Sequence, residues 1–307
     1  MNKVVAVLSL TALIAGCKPF GGPNPIAVEY PIFHCFPYLE RTSLSELELD
    51  DLRYYARRDN GCKMVLGKIY EFGRAVPQDI PRAKDIYLSV AEDDPQAYGR
   101  LGVMAEEGIG GPVDLVAARD FYQRAVAKPG NTDIELKLAQ YMEEGKGGPQ
   151  DLQGALTHYF NASTAGGETS WKGLERLRDK GVVMTIEQQQ RYNNVFVSRV
   201  KVGLRLKMKG IEKAFEKVIT PATAGKTIQV QLEYSPGSLV PAISLRESSG
   251  NKDFDQQALQ GFSDYRFPGV PILPPEQKTY QAIAMVRTDG KTPMQRFRDE
   301  RAAAKNN

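Results

Sequence analysis

Apolar and turn-forming positions recur along the chain in one register. Leu66, Leu101 and Leu138 lie 35 and 37 residues apart. Gly73, Gly108 and Gly145 keep the same two spacings, as do Pro77, Pro112 and Pro149; Asp79, Asp114 and Asp151; Ala83, Ala118 and Ala155; and Tyr87, Tyr122 and Tyr159. Leu174 and Gly181 repeat the step from Leu66 to Gly73 and mark a truncated fourth copy. A period of this length predicts supersecondary units stacked into a solenoid. In each copy the first helical stripe stops at the Gly, which can take the left-handed conformation beyond a helix end. The Asp two residues after the Pro lies where a second helix needs its N-terminal cap. The Ala lets the helices approach, and the Tyr fills the space between them. Upstream, Ser43-Leu44-Ser45-Glu46 reads as a capping box that opens a helix to about Arg58 and closes the array.

After Gly181 the period ends. Gln188–Gln190 with Asn193-Asn194 reads as a linker or a helix start. Two patterns overlap beyond it: Val200, Val202, Leu204, Leu206 and Met208 alternate as in a strand, while Phe196, Val200, Leu204, Met208, Ile211 and Phe215 follow a helical stripe. The stripe accounts for more residues and predicts a helix over 194–217, with an extra strand at its start left open. Thr227–Tyr234 and Leu239–Ser248 read as strands around the turn Ser235-Pro236-Gly237, Asp253–Asp264 as a short helix, and Tyr280–Arg287 as a third strand. This order predicts an antiparallel meander with helices on one face. The fold class is mainly α: an α-solenoid of helix-turn-helix repeats followed by a small α+β domain with a three-stranded antiparallel sheet.

At the start, Lys3 precedes an apolar run from Val4 to Leu13. That is too short to span a membrane, which takes roughly 20 residues, and it suits a secretory signal. Ile14-Ala15-Gly16-Cys17 resembles the bacterial lipobox, which implies a lipid on Cys17 and a protein held on a membrane, facing the periplasm. Lys18 is not the Asp that retains such proteins at the inner membrane, so the expected destination is the outer membrane. Cys35 and Cys62 then lie in an oxidising compartment, where a disulfide is expected, the alternative being two buried thiols. The expected divisions are a signal peptide over 1–16, an anchor segment over 17–42, the array over 43–181, a linker over 182–193, the α+β domain over 194–290 and a charged tail over 291–307.

The repeat pattern resembles the Sel-one-like repeat, a relative of the tetratricopeptide repeat. The first copy carries Leu66, Gly67, Tyr70, Gly73, Val76, Pro77, Asp79, Ala83 and Tyr87. The second and third depart from it with Ala105 and Met142 at the Tyr70 position and Gly111 and Gly148 at the Val76 position. The resemblance implies binding of other proteins and no active site. Within 192–290, Gly225-Lys226-Thr227, Pro236-Gly237, Ser248-Ser249-Gly250, Phe254-Asp255 with Ala258-Leu259, and Phe267-Pro268 with Pro271 resemble the TonB/TolA C-terminal domain. That resemblance implies protein binding at an exposed sheet edge, Gln281–Arg287. Energy transducers of that type also carry an inner-membrane helix and a long periplasmic span, which this sequence does not show, so force transmission is the lesser expectation.

Charge and chemistry narrow the picture further. Residues 182–307 hold 19 Lys and Arg against 12 Asp and Glu, whereas the whole chain has a net charge of +3, too little to argue for nucleic acid. With two histidines and three cysteines, no zinc site or His-based triad can be assembled by spacing. No P-loop lysine or dinucleotide fingerprint is present. His158 reads as a solvated residue, and His34 sits in a packing segment, so no enzyme and no cofactor are expected. In a tetratricopeptide-like geometry the first helix of each copy lines a concave face, which places Met64, Lys68, Glu71 and Phe72, then Val103, Glu106 and Glu107, then Gln140, Glu143 and Glu144 toward a partner. Glutamates in the last helical turn have the wrong sign for the helix dipole. They read either as solvated surface or as a groove for a basic partner, the C-terminal part being one candidate. Function is then either a lipid-anchored periplasmic protein-binding scaffold or an immunity protein that neutralises a toxin, such as a secreted lipase, reaching the periplasm.

Overall fold

The computed structural model describes residues 31–301 apart from 165–166, 217, 221–223, 292–294, 297 and 300. The signal, Cys17 and most of the charged tail lie outside the described residues. The chain forms two compact units, Met1–Pro129 and Gly130–Asn307. The division falls inside the repeat array, after its second copy, and not at 182–193 where the period stops.

In the first unit, α1 (Pro31–Cys35) runs into a 3-10 turn (Phe36–Glu40). It is followed by α2 (Glu46–Ala56), α3 (Asn60–Phe72), α4 (Ile80–Leu88), α5 (Pro95–Glu107) and α6 (Leu115–Ala125). The capping box that opens α2 sits two residues later than the sequence pattern suggested. Ser45 is the cap, its Oγ accepting from the Glu48 N–H, and the Glu48 side chain accepts from the Ser45 N–H at 2.9 Å. A disulfide joins Cys35 to Cys62 and ties α1 to α3. Each repeat hairpin is closed as the spacing predicts. Gly73 and Gly108 end α3 and α5 at φ 61° and 70°, where an L side chain would be strained. The carboxylates of Asp79 and Asp114 accept from the N–H groups of Arg82 and Ala117. Tyr87 and Tyr122 are fully buried between the helices.

The second unit begins with the third copy, α7 (Thr132–Glu144) and α8 (Leu152–Ala162), and the partial fourth, α9 (Gly167–Asp179). Then come α10 (Ile186–Phe215), β1 (Thr227–Ser235), β2 (Ser238–Glu247), α11 (Lys252–Gly261) and β3 (Tyr280–Arg287). Most of the expected linker is helix, because Thr185 and Gln188 form a second capping box that starts α10 at Ile186. The strand alternative fails: Val202 and Leu206, which it would bury, are 56% and 68% exposed, while Phe196, Val200, Leu204, Ile211 and Phe215 are buried.

The three strands are antiparallel, but their order is β2-β1-β3, so the sheet is no meander. After the hairpin, the chain crosses over through α11 and returns to the free side of β1. The strict alternation of T-I-Q-V-Q-L-E-Y reflects this central place, since Ile228, Val230, Leu232 and Tyr234 are all buried. Helices α10 and α11 cover that face with Phe215 and Phe254, whose rings lie 4.8 Å apart. The buried Asp255 ties the loop before α11, accepting from the hydroxyls of Ser248 and Ser249 at 2.6 and 2.8 Å.

Candidate functional site

The first helix of each repeat was expected to present its face to a partner, and its side chains divide into two groups. Phe72, Glu107 and Glu144 are exposed, and Lys68, Val103, Glu106 and Gln140 are half-buried. Met64, Glu71 and Glu143 are buried, at 7%, 2% and 4% exposure, so they present nothing to solvent. Phe72 stands between two guanidinium groups, Arg74 and Arg100, at 5.4 and 5.3 Å from its ring centre. Glu144 pairs with Lys146 at 2.7 Å on the surface.

The buried glutamates are committed inside the array. Glu71 accepts from the Tyr87 hydroxyl at 2.8 Å and is bound by the Arg100 guanidinium, whose Nε lies 2.7 Å from Oε2. Glu143 repeats the arrangement: it accepts from Tyr159 at 2.7 Å, from Arg176 at 2.9 Å and from Lys180 at 2.7 Å. Glu106 accepts from Tyr122 at 2.6 Å. In each copy the acid precedes its tyrosine by 16 residues, and in the first and third the cations come from the following copy. Tyrosine and cation together satisfy a carboxylate that burial alone would penalise. Burial would raise the Glu143 carboxyl, but hydrogen bonds from Arg176, Lys180 and Tyr159 outweigh it and hold it at about 2. These acids therefore have a packing role, and reversing their charge would break the fit between copies. The 16-residue spacing was visible in the sequence; the cations that complete it were not.

The histidines differ from expectation too. His158 is not solvated: its Nδ1 lies 2.6 Å from Glu135, and both side chains are largely covered. His34 Nε2 lies 2.5 Å from the Asp51 carboxylate, which also accepts from Tyr38 at 2.8 Å. Both pairs are structural ties. Among the described residues no group of three or more His, Cys, Asp and Glu could hold a metal. None of the described helices is long and apolar enough to cross a membrane.

At the C-terminal sheet, β3 is an edge strand whose outer face shows Ile283 and Met285, at 41% and 56% exposure. Its last amide, Arg287 N–H, is already taken by Glu212 of α10 at 3.0 Å.

Comparison with known proteins identifies the repeats. The Sel1 repeat family matches residues 64–93, 95–128 and 135–167. A component of an ERAD-associated E3 ubiquitin-protein ligase from Arabidopsis thaliana is 31% identical over 77 residues, 25% of this chain. The chain spans only 13% of that relative's length. The crystal structure of a Sel1 repeat protein from Oxalobacter formigenes is similar over 58% of this chain and 73% of its own, with 20% identity and a TM-score of 0.47. A protective antigen of uropathogenic Escherichia coli displaying an SLR fold is similar over 56% of this chain and 37% of its own, with 25% identity and a TM-score of 0.43. The chain thus carries Sel1 repeats, a scaffold that generally mediates protein–protein interaction and is typically non-catalytic.

Proposed function

We propose that this chain is a lipid-anchored periplasmic scaffold that holds other proteins through its repeat array and its C-terminal domain. The observation that carries the reading is the division of labour on the first repeat helices. One set of side chains locks copy to copy (Glu71, Glu143), and a neighbouring set at matched register is left to solvent (Phe72, Glu107, Glu144). An exposed aromatic and exposed charges at fixed repeat positions suit a partner better than they suit stability. The Ile14-Ala15-Gly16-Cys17 run supports the anchor, and a Cys35–Cys62 disulfide is the expected state in an oxidising compartment. The β-β-α-β part and its S-S-G…F-D pattern support a TonB/TolA-like domain, with β3 as a second docking edge.

The test is made in cells on the full chain. A photo-crosslinking residue placed at Phe72, Glu107 or Glu144 should trap a discrete protein adduct that the same probe at buried Ala118 does not. Cys17→Ser should abolish labelling by palmitate and release the protein from membranes. Palmitate labelling that persists in Cys17→Ser sinks the anchor, and an absence of adducts from all three exposed positions sinks the scaffold.

A further inference from the structure

In the first unit the helix that caps the array and the first repeat line an open cavity of about 270 Å³. Its floor is apolar: Ala56 of α2, Leu66 of α3 and Ile86 of α4. Its walls carry four cations and no carboxylate among the described residues: Arg53 from α2, Arg57 just past the end of α2, Lys63 from α3 and Arg82 from α4. The end of α2, α3 and α4 thus bring four cations to one pocket, and Arg57 and Arg82 stand exposed there, open to a partner of opposite sign. Arg53 has one carboxylate partner, Asp50 at 3.0 Å, and donates to the Tyr70 hydroxyl at 3.1 Å. Arg82 lies over the Tyr70 ring at 4.4 Å. Arg57, Lys63 and Arg82 make no ion pair among the described residues. The Nε–H of Arg53 is covered and has no acceptor, while its terminal nitrogens are held by Asp50 and Tyr70. The adjoining cavity of about 500 Å³ shares Arg53 and Arg82 and adds Glu46 and Asp79, the second already committed as the cap of α4.

We infer that this cavity is a docking site for an acidic segment of a partner protein, one that sets carboxylates against Arg53, Arg57, Lys63 and Arg82 and an apolar side chain against Leu66 and Ile86. The inference deepens the scaffold reading and rests on it. It also differs in sign from the groove expected from sequence: the acids of the repeat helices are in part locked away, and the charged side chains that line this pocket are all cations. A bare anion would use the cations but leave the apolar floor uncovered, which is why a peptide is favoured over phosphate.

The test uses the full chain and a fluorescent peptide of alternating leucine and glutamate, followed by anisotropy at low salt. Binding should weaken by about tenfold in the Arg57→Glu/Lys63→Glu variant and should fall as salt rises. The same peptide with lysine in place of glutamate should not bind. Arg57→Ala/Lys63→Ala, melting as the parent does, should show a smaller loss in the same direction. Equal affinity for parent and both double variants overturns the inference, as does displacement of the peptide by an equal concentration of inorganic phosphate. If the adducts from Phe72, Glu107 and Glu144 still form in a chain that fails this peptide test, the scaffold stands and the acidic-segment site falls. If neither adducts nor peptide binding are seen in the parent chain, both fall.

Discussion

Glu143 shows how a single buried charge can be read in two opposite ways. In sequence it sits in the last turn of a helix, next to another glutamate, where the dipole disfavours it, and so it reads as surface. In the fold its carboxylate is covered and takes three donors, two of them cationic. The carboxyl is depressed from its ordinary 4.5 to about 2, so its contribution to stability is complete above about pH 5 and is lost as the pH falls toward 2. Arg176 and Lys180 are nearly half exposed, at 48% and 46%, and solvent screening reduces what the pair is worth. About 2 kcal/mol is a reasonable expectation after that discount. Thermal melts of the parent and of Glu143→Gln should therefore differ at pH 7 and converge by pH 2. A gap that stays constant across that range would mean the charge of Glu143 does not matter. Half of this arrangement was legible, because the acid and its tyrosine recur at one spacing. The other half was not, because Arg176 lies on the next helix and Lys180 just past its end, and only packing brings them in.

At the scale of elements, the turns were the most legible part of the chain. A Gly that must adopt positive φ and an Asp that must cap are local demands, and sequence states local demands directly. The Gly residues inside helices are a different matter. In α5, a Cβ on Gly102 would stand 2.4 Å from the Tyr122 ring, and in α3 one on Gly67 would stand 2.6 Å from the Tyr87 ring. These tyrosines can fill the space between helices only because the opposing helix has no side chain there. Gly102→Ala gains helix propensity, about 1 kcal/mol, but should lose more to overpacking, so the variant should melt lower by about 1–3 kcal/mol net. Gly210 of α10 meets nothing within 4 Å, so Gly210→Ala should be neutral or raise stability by up to about 1 kcal/mol. If both variants shift in the same direction, the close tyrosine contact is not what fixes Gly102. What sequence did not disclose is the partner each strand chooses. The alternation in β1 fitted an edge or a centre equally well, and the crossover through α11 made it the centre.

At the scale of the whole molecule, the change of period after Gly181 marks where repeats end, yet it does not mark where a folding unit ends. The reason is Trp171. It sits on α9, in the partial fourth copy, and is fully buried. Its indole N–H donates to the Pro268 carbonyl at 2.8 Å, and its ring lies 4.9 Å from Tyr192 and 6.3 Å from Phe196 of α10. Arg178 and Tyr192 both donate to the Val270 carbonyl, and Asn193 exchanges two hydrogen bonds with Ile272. The stretch between α11 and β3 is thereby stitched to the last repeat helix, and the repeat end, α10 and the sheet melt into one core. Trp171 is also the sole tryptophan of the chain, so its fluorescence reports this junction and nothing else. In urea, the fluorescence transition of the parent should coincide with loss of protease protection in residues 262–279. Trp171→Phe keeps a ring but gives up the N–H, leaving the Pro268 carbonyl without its donor, and should cost about 1–2 kcal/mol. Trp171→Ala should cost about 3–5 kcal/mol and expose 262–279 to cleavage while the sheet is still folded. Should that stretch remain protected in Trp171→Ala, with melting unchanged, the junction is held by Arg178, Tyr192 and Asn193 without the tryptophan, and Trp171 is not what joins the repeat end to the sheet.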